Sequence, residues 1–165
     1  MANPIKTPEQ LLAYRPLKDL LAVKGNAVYA AAPTDSVFTA ISLMADRGVG
    51  FLVVMDGKRL VGVLSERDYA RKIVLQNKSS RDTPVREIMT EKVVTVTVEQ
   101  TIPQCMALMN SHGIRHLPVM DGGGAVIGVL SIRDLLKATI AHHERLIREL
   151  ETELMTTLNP NTSSY

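Results

Sequence analysis

Residues 62–68 read Gly-Val-Leu-Ser-Glu-Arg-Asp, and residues 128–134 read Gly-Val-Leu-Ser-Ile-Arg-Asp. The match extends backwards from both. Val54-Met55-Asp56-Gly57 meets Val119-Met120-Asp121-Gly122, Leu52 meets Leu117, Gly48 meets Gly113 and Leu43-Met44 meets Leu108-Met109, with one extra residue in the second copy before its Gly-Val-Leu-Ser. The chain therefore states one unit twice, about 65 residues apart. An open solenoid needs at least about three copies to bury a continuous core. Two copies call for a closed, pseudo-symmetric pair.

Each copy has the same grammar. In the first, an extended stretch over residues 28–31 leads to a helix that opens after Asp35-Ser36, with Val37, Ala40, Ile41 and Met44 on one face. Strands follow at 51–55 and 60–64, joined by Asp56-Gly57-Lys58, a tight-turn signal because glycine tolerates positive φ. The second copy repeats this with an extended stretch at 93–96, a helix bearing Thr101, Ile102, Cys105, Met106 and Met109, and strands at 116–120 and 126–130. Near-continuous Val, Leu and Ile in these strands, rather than alternation, predicts a sheet covered on both faces. Residues 76–83 read as a polar linker and 84–89 as a short helical turn. In front of the pair, Leu11, Leu12, Leu17, Leu20 and Leu21 flank Pro16 and predict two short helical pieces, the second closed by Gly25-Asn26. The division expected is an N-terminal helical segment (1–27), repeat 1 (28–75), a linker (76–92), repeat 2 (93–137) and a C-terminal helix with a tail (138–165).

Composition narrows the function. With 165 residues, 45% of them hydrophobic, the chain buries a core of one ordinary domain or two closely packed halves. A formal charge of only +2, with basic and acidic residues interspersed, leaves no basic face for nucleic acid. The single Cys105 excludes a disulfide framework and reads as a small core residue. There is neither an apolar run approaching the roughly 18 residues of a membrane span nor a signal-peptide stretch, so the expected location is the cytoplasm.

The Gly-Val-Leu-Ser-x-Arg-Asp tails carry the chemistry, and two readings apply to them. A strand ending in Ser with an acid three residues on is a capping box, in which the hydroxyl accepts from a first-turn amide and the Asp reaches back. The same strand end and helix start also suit an anion, and an Asp there can grip the paired hydroxyls of a ribose. Both hold at once.

Taken together, these tails and the run Gly113-Ile114-Arg115-His116-Leu117-Pro118-Val119-Met120-Asp121 resemble tandem CBS domains, the regulatory repeats of IMP dehydrogenase and of the regulatory subunit of AMP-activated kinase. The resemblance covers residues 28–137. It implies an α/β (α+β) fold of two βαββα CBS repeats, with two clefts between them that commonly bind adenosine nucleotides. Carried over by position, Asp68 and Asp134 would each hold a ribose, with Ser65 and Ser131 beside the sugar or phosphate and Arg67 and Arg133 in the same nucleotide-binding set. Val49-Gly50-Phe51 and Ile114-Arg115-His116 would frame each adenine, and Thr95 joins the nucleotide-binding set. Pro118 suits an edge whose backbone is left to a ligand, since it has no N–H for a sheet ladder. The resemblance places Arg115 and His116 opposite the nucleotide held by Asp68, a charged clamp for a monophosphate, and Gly50 and Phe51 opposite the one held by Asp134.

The expected role is therefore a non-catalytic regulator that binds AMP, ATP or NAD(H), has no catalytic cofactor, and acts on an unknown regulated protein by ligand-dependent conformational change. Its rival is a dimerising scaffold with unoccupied clefts. His112, His116, His142 and His143 do not suggest a metal site, because adjacent helical histidines point about 100° apart and no Cys or carboxylate completes a ligand set. No nucleophile signature or phosphate-cradling loop marks an enzyme. From Ile132 the last helix should run to about Leu158, and Leu136, Ile140, Ile147, Leu150 and Leu154, with His143 in phase, repeat at the spacing of a coiled-coil seam. That seam predicts a homodimer, unless the helix folds back on its own domain.

Overall fold

The computed structural model describes residue 14, residues 16–25 and residues 27–158; the first of the two predicted N-terminal helical pieces and the tail lie outside them. Two three-stranded sheets of identical topology form the frame. In the first, β1 (Ala30–Ala31) runs parallel to β2 (Phe51–Asp56), which pairs antiparallel with β3 (Arg59–Ser65). In the second, β4 (Val96–Thr97), β5 (His116–Met120) and β6 (Val126–Ser131) repeat the arrangement. Even the register irregularity recurs, between Val54 and Met55 and between Val119 and Met120. Leu52, Val53 and Val54 are fully buried in succession, as expected of a sheet covered on both faces.

Helix α1 (Leu17–Lys24) precedes the first sheet, and α2 (Val37–Arg47) and α4 (Ile102–His112) lie within the repeats. α3 (Glu66–Tyr69) continues as a π-helical turn over Ala70–Val74, and α5 spans Ile132–Leu158. Ser36 caps α2 by accepting from the Thr39 N–H, and Thr101 and Gln104 form a capping box on α4. Gly48 and Gly113 end the two helices in the left-handed conformation, each at φ 63°, which is why the repeats carry glycine at both positions. No helix among the described residues is long and apolar enough to cross a membrane.

Three expectations need correction. The extended stretches are shorter than predicted, and the second starts one residue later in equivalent terms: Ala31 pairs with Val54, and Val96 with Val119. Pro118 explains the offset. In repeat 1 the Val53 N–H donates to the Tyr29 carbonyl at 3.2 Å, whereas Pro118 at the matching place has no N–H to give, so the Val94 carbonyl cannot be bound in that way. Nor does Pro118 lie on an edge, since β5 is the central strand of its sheet. Residues 76–83 are more than a polar linker: the Ser80 and Thr83 carbonyls accept the Phe38 and Val37 amides, occupying first-turn donors of α2 that would otherwise lack partners.

The two cores are completed crosswise. Val85 and Ile88, from the segment that leads into repeat 2, are fully buried in the core of repeat 1, whereas Leu17 and Leu21, from the segment that leads into repeat 1, are buried in the core of repeat 2. Gly62 and Gly128 are where these segments touch down. A Cβ on Gly62 would come within 2.8 Å of the Met89 sulfur, and one on Gly128 within 2.9 Å of Leu21 Cδ2. The repeated Gly of Gly-Val-Leu-Ser is thus a docking notch for the segment preceding the other repeat.

Candidate functional site

Both aspartates of the tails are built into their helix starts. The Ser65 N–H and hydroxyl donate to Asp68 Oδ2 at 3.0 and 2.6 Å, and the Asp68 N–H donates back to Ser65 Oγ at 3.3 Å. Ser131 and Asp134 make the same set at 2.8, 2.7 and 3.2 Å. The capping reading is therefore correct for both copies. It does not exhaust the aspartates, because an ionised carboxylate has about four acceptor sites.

A cleft of about 250 Å³ opens beside Asp68, between the repeats. It brings together Ser65, Arg67 and Asp68 from the end of β3 and start of α3, Gly50 and Phe51 from the start of β2, and Ile114, Arg115, His116 and Pro118 from the other repeat. Asp68 therefore shares one cleft with Arg115 and His116, across the pseudo-symmetric interface. Gly50 and Phe51, expected opposite the Asp134 nucleotide, line this same cleft. Thr95 is exposed and is not among the lining residues, and neither are Ser131, Arg133 and Asp134. The cleft also contains residues that the sequence did not single out, Glu66, Lys92 and Val94. Glu66 had a signal available, since it fills the variable position of the motif where repeat 2 has Ile132; its amide donates to the Gly50 carbonyl, as that of Ile132 does to Arg115.

Arg67 ties the lips of the cleft together, its Nη1 donating to the Gly113 carbonyl at 3.3 Å at the end of α4. Lys72 braces Asp68 from behind, with Nζ 3.0 Å from Oδ1 and 2.6 Å from the Ile88 carbonyl. Phe51 and His116 stack with centroids 4.6 Å apart and 15° between planes. Burial, then the nearby charges of Arg115 and Lys24, push the His116 imidazole down to about 4 against the opposing pull of Asp134. His116 is thus neutral near pH 7, and the positive charge of the expected clamp comes from Arg115, with a neutral ring beside it.

This gives a prediction with a definite sign. Unfolded His116 regains an ordinary value near 6.5, so between about pH 6.5 and 4 the unfolded chain binds more protons. His116 therefore supports the fold fully above about 6.5, and that support is lost as pH falls towards 4, by no more than about 3 kcal/mol. Urea unfolding of wild type and His116→Phe across this window should show a flatter acid slope in the variant; parallel slopes would place His116 in solvent.

In repeat 2, Asp134 meets a different cation. Lys24, the last residue of α1, donates from Nζ to the Asp134 carboxylate and, at 2.6 Å, to the Val129 carbonyl. Burial raises the Asp134 carboxyl, but the hydrogen bonds from Lys24 and Ser131 outweigh it and hold the group below its usual value. A further cavity of about 310 Å³ lies between α1 and α5, lined by Leu20, Ile102, His142 and Arg145 among others, and contains none of the repeated motif residues. No group of three His, Cys, Asp or Glu able to hold a metal is gathered among the described residues.

Comparison with known proteins agrees with this duplication. The sequence profile described as "CBS domain" matches residues 18–75 and 85–141. A solved structure of a protein with CBS domains from Burkholderia ambifaria MC40-6 is 50% identical and superposes with a TM-score of 0.71, covering 75% of this chain and 92% of that one. A CBS domain protein from Pyrobaculum aerophilum, solved complexed with AMP, is 30% identical with a TM-score of 0.65, covering 73% of this chain and 89% of that one. The "CBS domain-containing protein CBSX3, mitochondrial" of Arabidopsis thaliana is 40% identical over 121 residues, 70% of this chain, and the chain spans 58% of that protein's length.

Proposed function

The chain belongs to the CBS-domain family as a tandem pair, and on that premise we propose that it is a regulatory module that binds an adenosine nucleotide, AMP first, in the cleft at Asp68. The observation that carries this reading is the meeting of Asp68 with Arg115 in one cleft walled by both repeats. An acid able to take two sugar hydroxyls and a guanidinium able to take a phosphate are the two polar ends of a nucleoside monophosphate. Arg67 and Lys92 add positive charge, and the Val94 carbonyl, to which Pro118 has no N–H to give, offers an acceptor for an exocyclic amine. The AMP complex of the Pyrobaculum relative supports the same ligand class.

A cleft of about 250 Å³ favours AMP over NAD(H), whose second half would remain outside. Its acid serves a helix cap and an ion pair with Lys72, which suits binding rather than catalysis. Because the Arg67 to Gly113 bond spans the repeats, a ligand entering there would alter how the halves sit, and a partner protein in the cytoplasm would read that change. The test is thermal or urea unfolding with AMP. Saturation at about 100 times the dissociation constant should add roughly 2.7 kcal/mol, and an unchanged transition at millimolar AMP would reject the reading.

The alternative role, assembly, has its own observation. Along α5, Leu136, Ile140, Ile147, Leu150 and Leu154 are all exposed, Ile140 and Leu154 by 58% and 61%, so the helix does not fold back to cover its seam. A second copy of the chain would bury it, giving a homodimer whose C-terminal helices pair. Truncation before Ala141 should weaken the dimer in sedimentation experiments while leaving AMP binding intact, since every cleft residue precedes it. A truncated chain that remains as tightly dimeric as the full chain would place the contact elsewhere.

A further inference from the structure

We infer that Lys24 is a built-in occupant of the place at Asp134 that matches the Asp68 site, a tethered cation that competes with a ligand's sugar for Asp134 and so biases the chain towards one nucleotide rather than two. This rests on the nucleotide reading above and extends it to the other half of the pair.

Three observations converge on Lys24. First, its ammonium bonds the Val129 carbonyl, the counterpart of Val63, which lines the Asp68 cleft. In repeat 1 the Val63 N–H and carbonyl are both taken by the backbone of Thr90. In repeat 2 a side chain reaches that carbonyl instead, because the chain at the matching place turns at Gly25, whose N–H closes α1 on the Leu21 carbonyl. Second, the same ammonium takes the Asp134 carboxylate. Asp68 has a lysine too, but Lys72 comes from its own helix one turn on and bonds the Ile88 carbonyl, and neither Lys72 nor Ile88 lines the cleft. Repeat 2 has Ala138 in place of Lys72. Third, the charges of Lys24 and Asp134 are both felt by His116, whose ring lines the Asp68 cleft.

A helix-terminal lysine satisfying a nearby acid is the ordinary alternative, and it predicts no effect on ligand binding. The Lys24 side chain is 32% exposed and Asp134 18%, so the pair is open to solvent on the lysine side and the ammonium can leave the carboxylate for water. Competition, not exclusion, is the consequence. Leu21 on Gly128 keeps α1 docked whichever partner the ammonium takes.

The experiment is calorimetry of AMP and of adenosine with wild type and with Lys24→Met, which keeps the aliphatic stem and removes the charge. Competition predicts one principal event in wild type and a second event in Lys24→Met tightened by about 5- to 20-fold for both ligands, with the principal event unchanged. An unchanged second event overturns the inference. So does a second event weakened for AMP alone, which would make Lys24 a phosphate partner. Two equal sites in wild type also overturn it. If neither protein binds either ligand, the nucleotide reading fails and takes this one with it, whereas one unaltered site in both proteins overturns the Lys24 inference alone.

Discussion

Asp68→Ala should weaken AMP binding by about 10- to 200-fold, the effect of removing one or two hydrogen bonds to a charged acceptor. Asp68 is tested first because it has two roles. Its Oδ2 takes the Ser65 amide and hydroxyl, so the variant also loses a cap, at a cost of about 0.5–2 kcal/mol. The two effects separate by measurement. Unfolding in the absence of nucleotide reports the cap, and calorimetry on the folded fraction reports the ligand; Asp68→Asn, which keeps an acceptor oxygen but not the charge, should recover part of the first. Loss of stability with unchanged affinity would leave Asp68 as a cap and nothing more.

Arg115→Ala should cost AMP about 10- to 100-fold and leave adenosine nearly unaffected, because only a charge-assisted contact to phosphate is removed. Arg115 stands just before β5, exposed on the lip of the Asp68 cleft, and its removal leaves no buried group unpaired. His116, neutral and stacked on Phe51, cannot replace the charge near pH 7. Equal losses for AMP and adenosine would mean that Arg115 shapes the cleft without contacting phosphate.

The frame of the fold was legible because it is local. Capping residues, the Gly48 and Gly113 stops and the apolar strand runs all act within a few positions of themselves, and their recurrence doubled each signal. The long α5 followed from the lack of Gly or Pro between Ile132 and Leu158. What could not be read was the crosswise completion of the cores. Leu17 and Leu21 meet Leu117 and Leu130, partners about a hundred residues away, and periodicity says which face of a helix is apolar but not which sheet receives it. The site divided along the same line. Asp68 came from the repeated motif and Arg115 from the place where the two copies differ, whereas Lys24 and Lys92 act from segments outside the repeated units, where no local pattern marks a side chain that reaches a site. The lowered pKa of His116 was not legible, because burial and the field of Arg115 and Lys24 exist only once the repeats are packed.

The most direct test of the central claim is a crystal structure of the full chain grown with AMP. The account predicts AMP between the repeats, its sugar hydroxyls on Asp68 and its phosphate within hydrogen-bonding distance of Arg115, with Lys24 still on Asp134. AMP bound away from Asp68, or an empty Asp68 cleft at saturating AMP, would contradict it.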